Sequence, residues 1–135
     1  MRTINNVLII NDGVDSTNKI AEKIAGELQS YHVVKRKAAD LEGTDVLPAD
    51  AYFIGCERSD PPSFVYLSEL MHHINLVGRP CGVFTHQSKT SIKYLAGLIR
   101  DAELTLNPAA FTDNGELDLQ EWVKATISEL WKQSA

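Results

Sequence analysis

Cysteine is scarce in this 135-residue sequence: there are two, Cys56 and Cys81, each inside an apolar segment. That usage fits buried free thiols in a reducing compartment and not a disulfide framework. Only Cys56, at a strand end, stands where a nucleophilic thiol would be considered. Long hydrophobic runs are absent too. The first ten residues, MRTINNVLII, hold one Arg and an apolar run of four, too short for the apolar part of an export signal. No run approaches a membrane span. The expectation is a cytoplasmic protein without membrane contact. Positive charge is the third shortage, with 13 Lys and Arg against 18 Asp and Glu and a net charge of −5. The one concentrated basic stretch, Lys35-Arg36-Lys37, reads as the solvated face of an edge strand, where Lys blocks edge-to-edge pairing. Nucleic-acid binding is not expected on that balance. There is no internal repeat and no low-complexity segment. What remains is a single domain over residues 1–135, with an ordinary 44% hydrophobic and 23% charged content.

Val7-Leu8-Ile9-Ile10 is a continuous run of β-formers, as in a strand buried on both faces. Residues 16–30 then carry helical spacing through Ile20, Ile24 and Leu28. A half-polar second strand spans 31–37. The turn-rich stretch 38–50 has room for at most one helical turn. A third strand covers 51–56. Pro61-Pro62 introduces a helix over roughly 63–76, since Pro is tolerated in a first turn. A fourth strand covers 81–85, and a helix follows over 89–103. A weakly marked fifth strand lies within Leu104 to Phe111. Asp113-Asn114-Gly115 turns the chain into a last helix, about 118–133, with Leu119, Trp122, Val123, Ile127, Leu130 and Trp131 on one side.

Strands alternating with helices predict a parallel sheet covered on both faces. Right-handed crossovers leave few topologies. The expected architecture is α/β: a flavodoxin-like, doubly wound, five-stranded sheet of order 2-1-3-4-5. Its ligand crevice would lie outside the carboxyl ends of the strands, at the switch point beside the first. In that sheet Cys56 ends one strand and Cys81 begins its neighbour, about 10 Å away at ~3.3 Å per residue, too far for a disulfide.

Several stretches resemble the flavodoxin family. Leu8-Ile9-Ile10 followed by Thr17, Ala21 and Ile24 is similar to its first strand, phosphate loop and first helix. Tyr52-Phe53-Ile54-Gly55 resembles its third strand, residues 76–85 the approach to and body of its fourth, and residues 113–122 the turn into its last helix. The chain length and the lack of a long insertion in the fifth strand resemble the short-chain branch. The resemblance implies FMN at the strand-end crevice, electron transfer with a redox partner protein, and a monomer or weak dimer. It maps the phosphate loop onto Asp12, Gly13, Val14, Asp15, Ser16 and Thr17. It maps the loop after strand three onto Glu57, Arg58 and Ser59, and the loop after strand four onto Thr85, His86, Gln87 and Ser88. His86 would lie against the flavin ring, with Lys89 or Arg58 offsetting anionic charge.

Two departures stand out. The family's first hydroxyl position falls on Asp12, and its small-residue position on Asp15. A carboxylate ~4 Å from a phosphate charge costs on the order of 1–4 kcal/mol in a partly wet site. Asp15 also stands where a helix N-cap belongs, and Asp caps well. Neither loop carries an aromatic before Phe64; Phe64, Tyr66 and Tyr94 read as packing residues. The alternative to a flavin protein is therefore the same fold with FMN binding lost, acting as a binding or interaction module.

Other readings are weaker. Asn11-Asp12 and Thr85 resemble features of response-regulator receiver domains, but Glu57 replaces the phospho-accepting Asp and no lysine ends strand five. Asp12, Asp15, Glu57 and Asp60 share one rim, and hard cations want clustered oxygens. Simple solvation is the plainer reading, and no metal is expected. His72 and His73 point about 100° apart on a helix and cannot chelate one ion together.

Overall fold

The apolar run at the start of the chain becomes the middle of β1 (Asn6–Asn11), and its side chains divide between two cores. Val7 and Ile9 face one side of the sheet, Leu8 and Ile10 the other. Successive Cβ atoms alternate across a strand, so a run buried on both faces needs cover on both. The computed structural model describes residues 3–129. On the Val7 side the cover is α1 (Asp15–Gly26) and α5 (Leu119–Ser128). On the Leu8 side it is α2 (Gly43–Val46), α3 (Val65–His73) and α4 (Lys89–Arg100).

The sheet runs β2-β1-β3-β4-β5, with β2 at His32–Lys37, β3 at Ala51–Gly55, β4 at Pro80–Thr85 and β5 at Thr105–Leu106. Neighbouring strands run parallel throughout the described sheet, so the expected doubly wound order holds. Asn11 pairs with both Lys37 and Gly55, and Gly55 with Phe84, which brings the carboxyl ends of the strands to one rim. Lys35, Arg36 and Lys37 lie exposed on the edge strand. Among the described residues no helix is long and apolar enough to cross a membrane.

The fifth strand differs from expectation, because it is split. β5 pairs with Pro80 and Cys81, whereas β6 (Phe111–Thr112) pairs with Phe84 and Thr85. Residues 107–110 detour between them, opposite Gly82 and Val83. The cause is Trp122. Its ring packs at 5.3 Å from that of Phe53 and 5.4 Å from that of Phe111, and its Nε1 donates to Ala109 O at 2.7 Å. Gly82 makes room for it, since a Cβ there would lie 2.8 Å from Trp122 Cζ2. Asn107 holds the detour's start, its Nδ2 donating to Thr126 Oγ1 at 2.9 Å.

Helix ends are also shorter than the periodicity predicts. Leu28 is buried, but α1 stops at Gly26 and Leu28 sits in the turn beyond. A 3-10 turn at Pro62–Phe64 precedes α3, and Ile74 is extended. After α4 the chain reverses through Glu103 at φ 61°. Asp118 caps α5, accepting from Glu121 N at 3.0 Å. The part of that helix expected to carry Leu130 and Trp131 lies outside the described residues.

Candidate functional site

Three loops meet at the carboxyl rim. The first follows β1. Asn11 ends the strand wholly buried, and its Oδ1 accepts from Gly13 N at 2.7 Å. Gly13 has φ +84°, a conformation that glycine adopts at no steric cost. Asp12 then turns back into its own loop. Its Oδ1 accepts from Val14 N at 3.2 Å and from the buried Thr17 hydroxyl. Its Oδ2 accepts from Glu57 N at 2.8 Å, which ties the first loop to the one after β3.

Glu57 repeats the device one strand further on. Its Oε2 accepts from Thr85 Oγ1 at 3.2 Å and His86 N at 2.8 Å, and its Oε1 from Gln87 N at 3.2 Å. The two carboxylates thus take six donors between them and lace all three loops together. Several of these are the backbone N–H and hydroxyl groups that an oxyanion would otherwise use.

The remaining expected site residues fall around this lacing. Val14, not Asp15, is the N-cap of α1, and no side chain caps that end. Asp15 is instead the first helical residue, with its side chain exposed, because the tight turn at Gly13 shifts the helix start by one. Ser16 is half-buried, whereas Arg58 and Ser59 are exposed. Ser88 caps α4, its Oγ accepting from Ser91 N at 3.2 Å. His86 Nδ1 lies 3.3 Å from Asp113 Oδ2, and Asp113 Oδ1 lies 3.7 Å from Lys23 Nζ. The sequence reading missed Asp113 as a partner for His86; only its place in the turn opposite the strand-four loop could have signalled it.

Among the described residues, the aromatics nearest the rim are committed to packing. Phe64 is fully buried and packs 6.3 Å from Tyr94. The Tyr66 hydroxyl is turned toward Gly43 of α2. The four rim carboxylates do not converge either: no cluster of three or more metal-ligating residues occurs among the described residues. His72 turns aside to Asp101, with Nδ1 2.9 Å from Oδ2.

Cys56 lies behind the site, wholly buried. Burial first, then the nearby Asp12 and Glu57 charges, push its thiol up to about 12 against the opposing hydrogen bond from Ser91. Burial also raises Cys81, and both thiols are free. The thiolate is the nucleophile, so a catalytic Cys56 is disfavoured. In the folded protein at pH 8, iodoacetamide should modify neither cysteine at an appreciable rate, and both should react once urea unfolds the chain. The unfolded thiol ionises near 9, so whatever stability Cys56 contributes is present below that pH and is lost as pH rises toward about 12.

The order of the strands, the helices on both faces and the rim of three loops define a flavodoxin-like fold. Solved flavodoxins align with nearly the whole chain. A short-chain flavodoxin associated with a bacterial microcompartment matches at a TM-score of 0.75 and 14% identity, over 98% of this chain and 100% of its own. Flavodoxin 2 from Bacillus cereus matches at 0.76 and 15%, over 92% and 99%. A flavodoxin from the domain Archaea matches at 0.67 and 17%, over 96% and 99%. No family model and no curated protein matches the sequence. At these identities the likeness establishes the fold.

Proposed function

We propose that this protein is a flavodoxin-like binding or interaction module whose flavin crevice is closed by its own side chains. The observation that carries this reading is the pair Asp12 and Glu57, which together accept from six donors across the three loops. An FMN phosphate would have to displace Asp12 from the Thr17 hydroxyl and Val14 N against a charge of its own sign. That repulsion alone is on the order of 1–4 kcal/mol in a partly wet site. Phe64 and Tyr94 are taken up in packing against each other, and the backbone amides of the loop after β4 already serve Glu57.

A second reading rests on the whole-chain likeness to flavodoxins and on Gly13 and Thr17. In it the protein binds FMN and passes electrons to a redox partner protein in the cytoplasm, and both carboxylates swing out when the cofactor arrives. The two readings separate on colour. On the first, purified protein is colourless and leaves the fluorescence of added FMN unquenched. The double variant Asp12→Ser with Glu57→Gln frees donors in two loops and should quench it saturably. A yellow protein, or quenching by the unaltered chain, would overturn the first reading in favour of the second.

A further inference from the structure

A separate recess opens beside this crevice, at the carboxyl end of the edge strand. It encloses about 470 Å³ and is walled by Asn11, Asn18, Lys35, Arg36, Lys37 and Asp40. Its chemistry is one-sided, with three cations against one carboxylate and no aromatic or aliphatic side chain in the wall. This chain is acidic overall, so the concentration is local.

Strand geometry divides these cations: Lys35 and Lys37 share the sheet face of Ile9 and Asn11, and Arg36 leaves the strand on the other face. Lys35, Arg36 and Lys37 are consecutive and end β2, beside Asn11 at the end of β1. Two of them are braced from outside the recess. Lys35 Nζ lies 3.4 Å from Glu22 Oε1, and Arg36 Nε 3.3 Å from Asp45 Oδ2. Lys37 makes no ion pair among the described residues, and its Cδ lies beside Gly13.

The second observation is Asn11. Its side chain is wholly buried, and its amide orientation is fixed because Oδ1 accepts from Gly13 N. That leaves Nδ2 buried with no acceptor among the described residues. A buried amide donor without a partner is costly, and such groups in folded proteins call for an explanation. An acceptor oxygen brought into the recess would supply one.

We infer that this recess binds a small phosphomonoester, with Lys37 and Lys35, on the same sheet face as Asn11, neutralising the dianion and Asn11 Nδ2 donating to one of its oxygens. Lys is a common phosphate partner, acting as a point charge. The polar wall favours a phosphorylated sugar or similar polar body over a nucleobase or a flavin, which would need stacking. The site is distinct from the Asp12–Glu57 lacing and does not depend on whether flavin binds there.

The test is a ¹H–¹⁵N titration of the full chain with glucose 6-phosphate, with glucose and inorganic phosphate in parallel. The expected result is a saturable shift of the Asn11 side-chain amide and of the Lys37 backbone amide. Glucose should give none. Lys35→Ala with Lys37→Ala should weaken the apparent affinity at least about tenfold. Both residues are exposed, so circular dichroism should be unchanged. Lys89→Ala, which removes an exposed cation at the start of α4, should leave the affinity as it was. Asn11→Asp keeps an acceptor for Gly13 N but replaces the donor with a charge, and should abolish the shift at Lys37. Sedimentation with phosphatidate-containing vesicles, together with the same shifts, would assign the phosphomonoester to a lipid headgroup. Absence of a saturable shift, an equal response to glucose, or an affinity indifferent to Lys35 and Lys37 would overturn the proposal.

Discussion

Asp12→Ala should unfold with a free energy about 2–4 kcal/mol below that of the unaltered protein, while Asp15→Ala stays within about 0.5 kcal/mol. The two aspartates are three residues apart and differ in what they touch. Asp12 accepts from Val14 N, the buried Thr17 hydroxyl and Glu57 N. Hydrogen bonds to a charged group contribute about 1.5–3 kcal/mol each when well made, and partial exposure of Asp12 reduces the sum. Asp15 is exposed, and its one favourable effect is its place in the first turn of α1, worth a few tenths of a kcal/mol to about 1. Urea titration with an unchanged slope is the measurement. A loss at Asp12 no larger than that at Asp15 would mean that the lacing contributes nothing to stability.

Gly55→Ala should cost about 3 kcal/mol, with Gly97→Ala as a control of opposite sign. Gly55 lies next to Phe84 across the β3–β4 pair. A Cβ at residue 55 would fall 2.2 Å from Phe84 Cε2 and 2.6 Å from Cζ. Phe84 is fully buried, so its ring must push into the core around Trp122 and Phe111 to make room. Overpacking of this kind forces side chains off their rotamers. Gly97, on α4, has nothing within 4 Å of an added Cβ, and alanine there should gain up to about 1 kcal/mol from helix propensity. Thermal unfolding of the two variants side by side checks both signs.

The architecture was legible because it rests on repeating patterns. Val7 to Ile10 and Tyr52 to Ile54 are unbroken runs, and such runs leave little choice but a sheet covered on both faces. The strand order follows from their alternation with helices. Element ends were less legible. Ile20, Ile24 and Leu28 keep helical spacing, yet Leu28 is buried by a turn and not by the helix, and spacing does not distinguish the two. The break in the fifth strand depends on the volume of Trp122 against Gly82, residues forty positions apart, which no local pattern connects.

The candidate site was legible in composition and not in geometry. In sequence, Asp12 and Asp15 both stand as obstacles to a phosphate. Their side chains turn opposite ways, because Gly13 takes φ +84° and folds Asp12 back while Asp15 starts the helix. Glu57 was expected among the ligand contacts. Its actual partners, 28 to 30 residues further on, exist only once β3 and β4 lie side by side.

The sheet has two flanks, and neither is an open template. One ends in a strand whose last three residues are cationic, and the other is reduced to two fragments of two residues each. A foreign strand seeking to add itself would find charge at one border and an interrupted ladder of peptide groups at the other. Recognition by this molecule thus falls to side chains and loops, and its backbone is shielded from the cross-strand recruitment that leads to fibres.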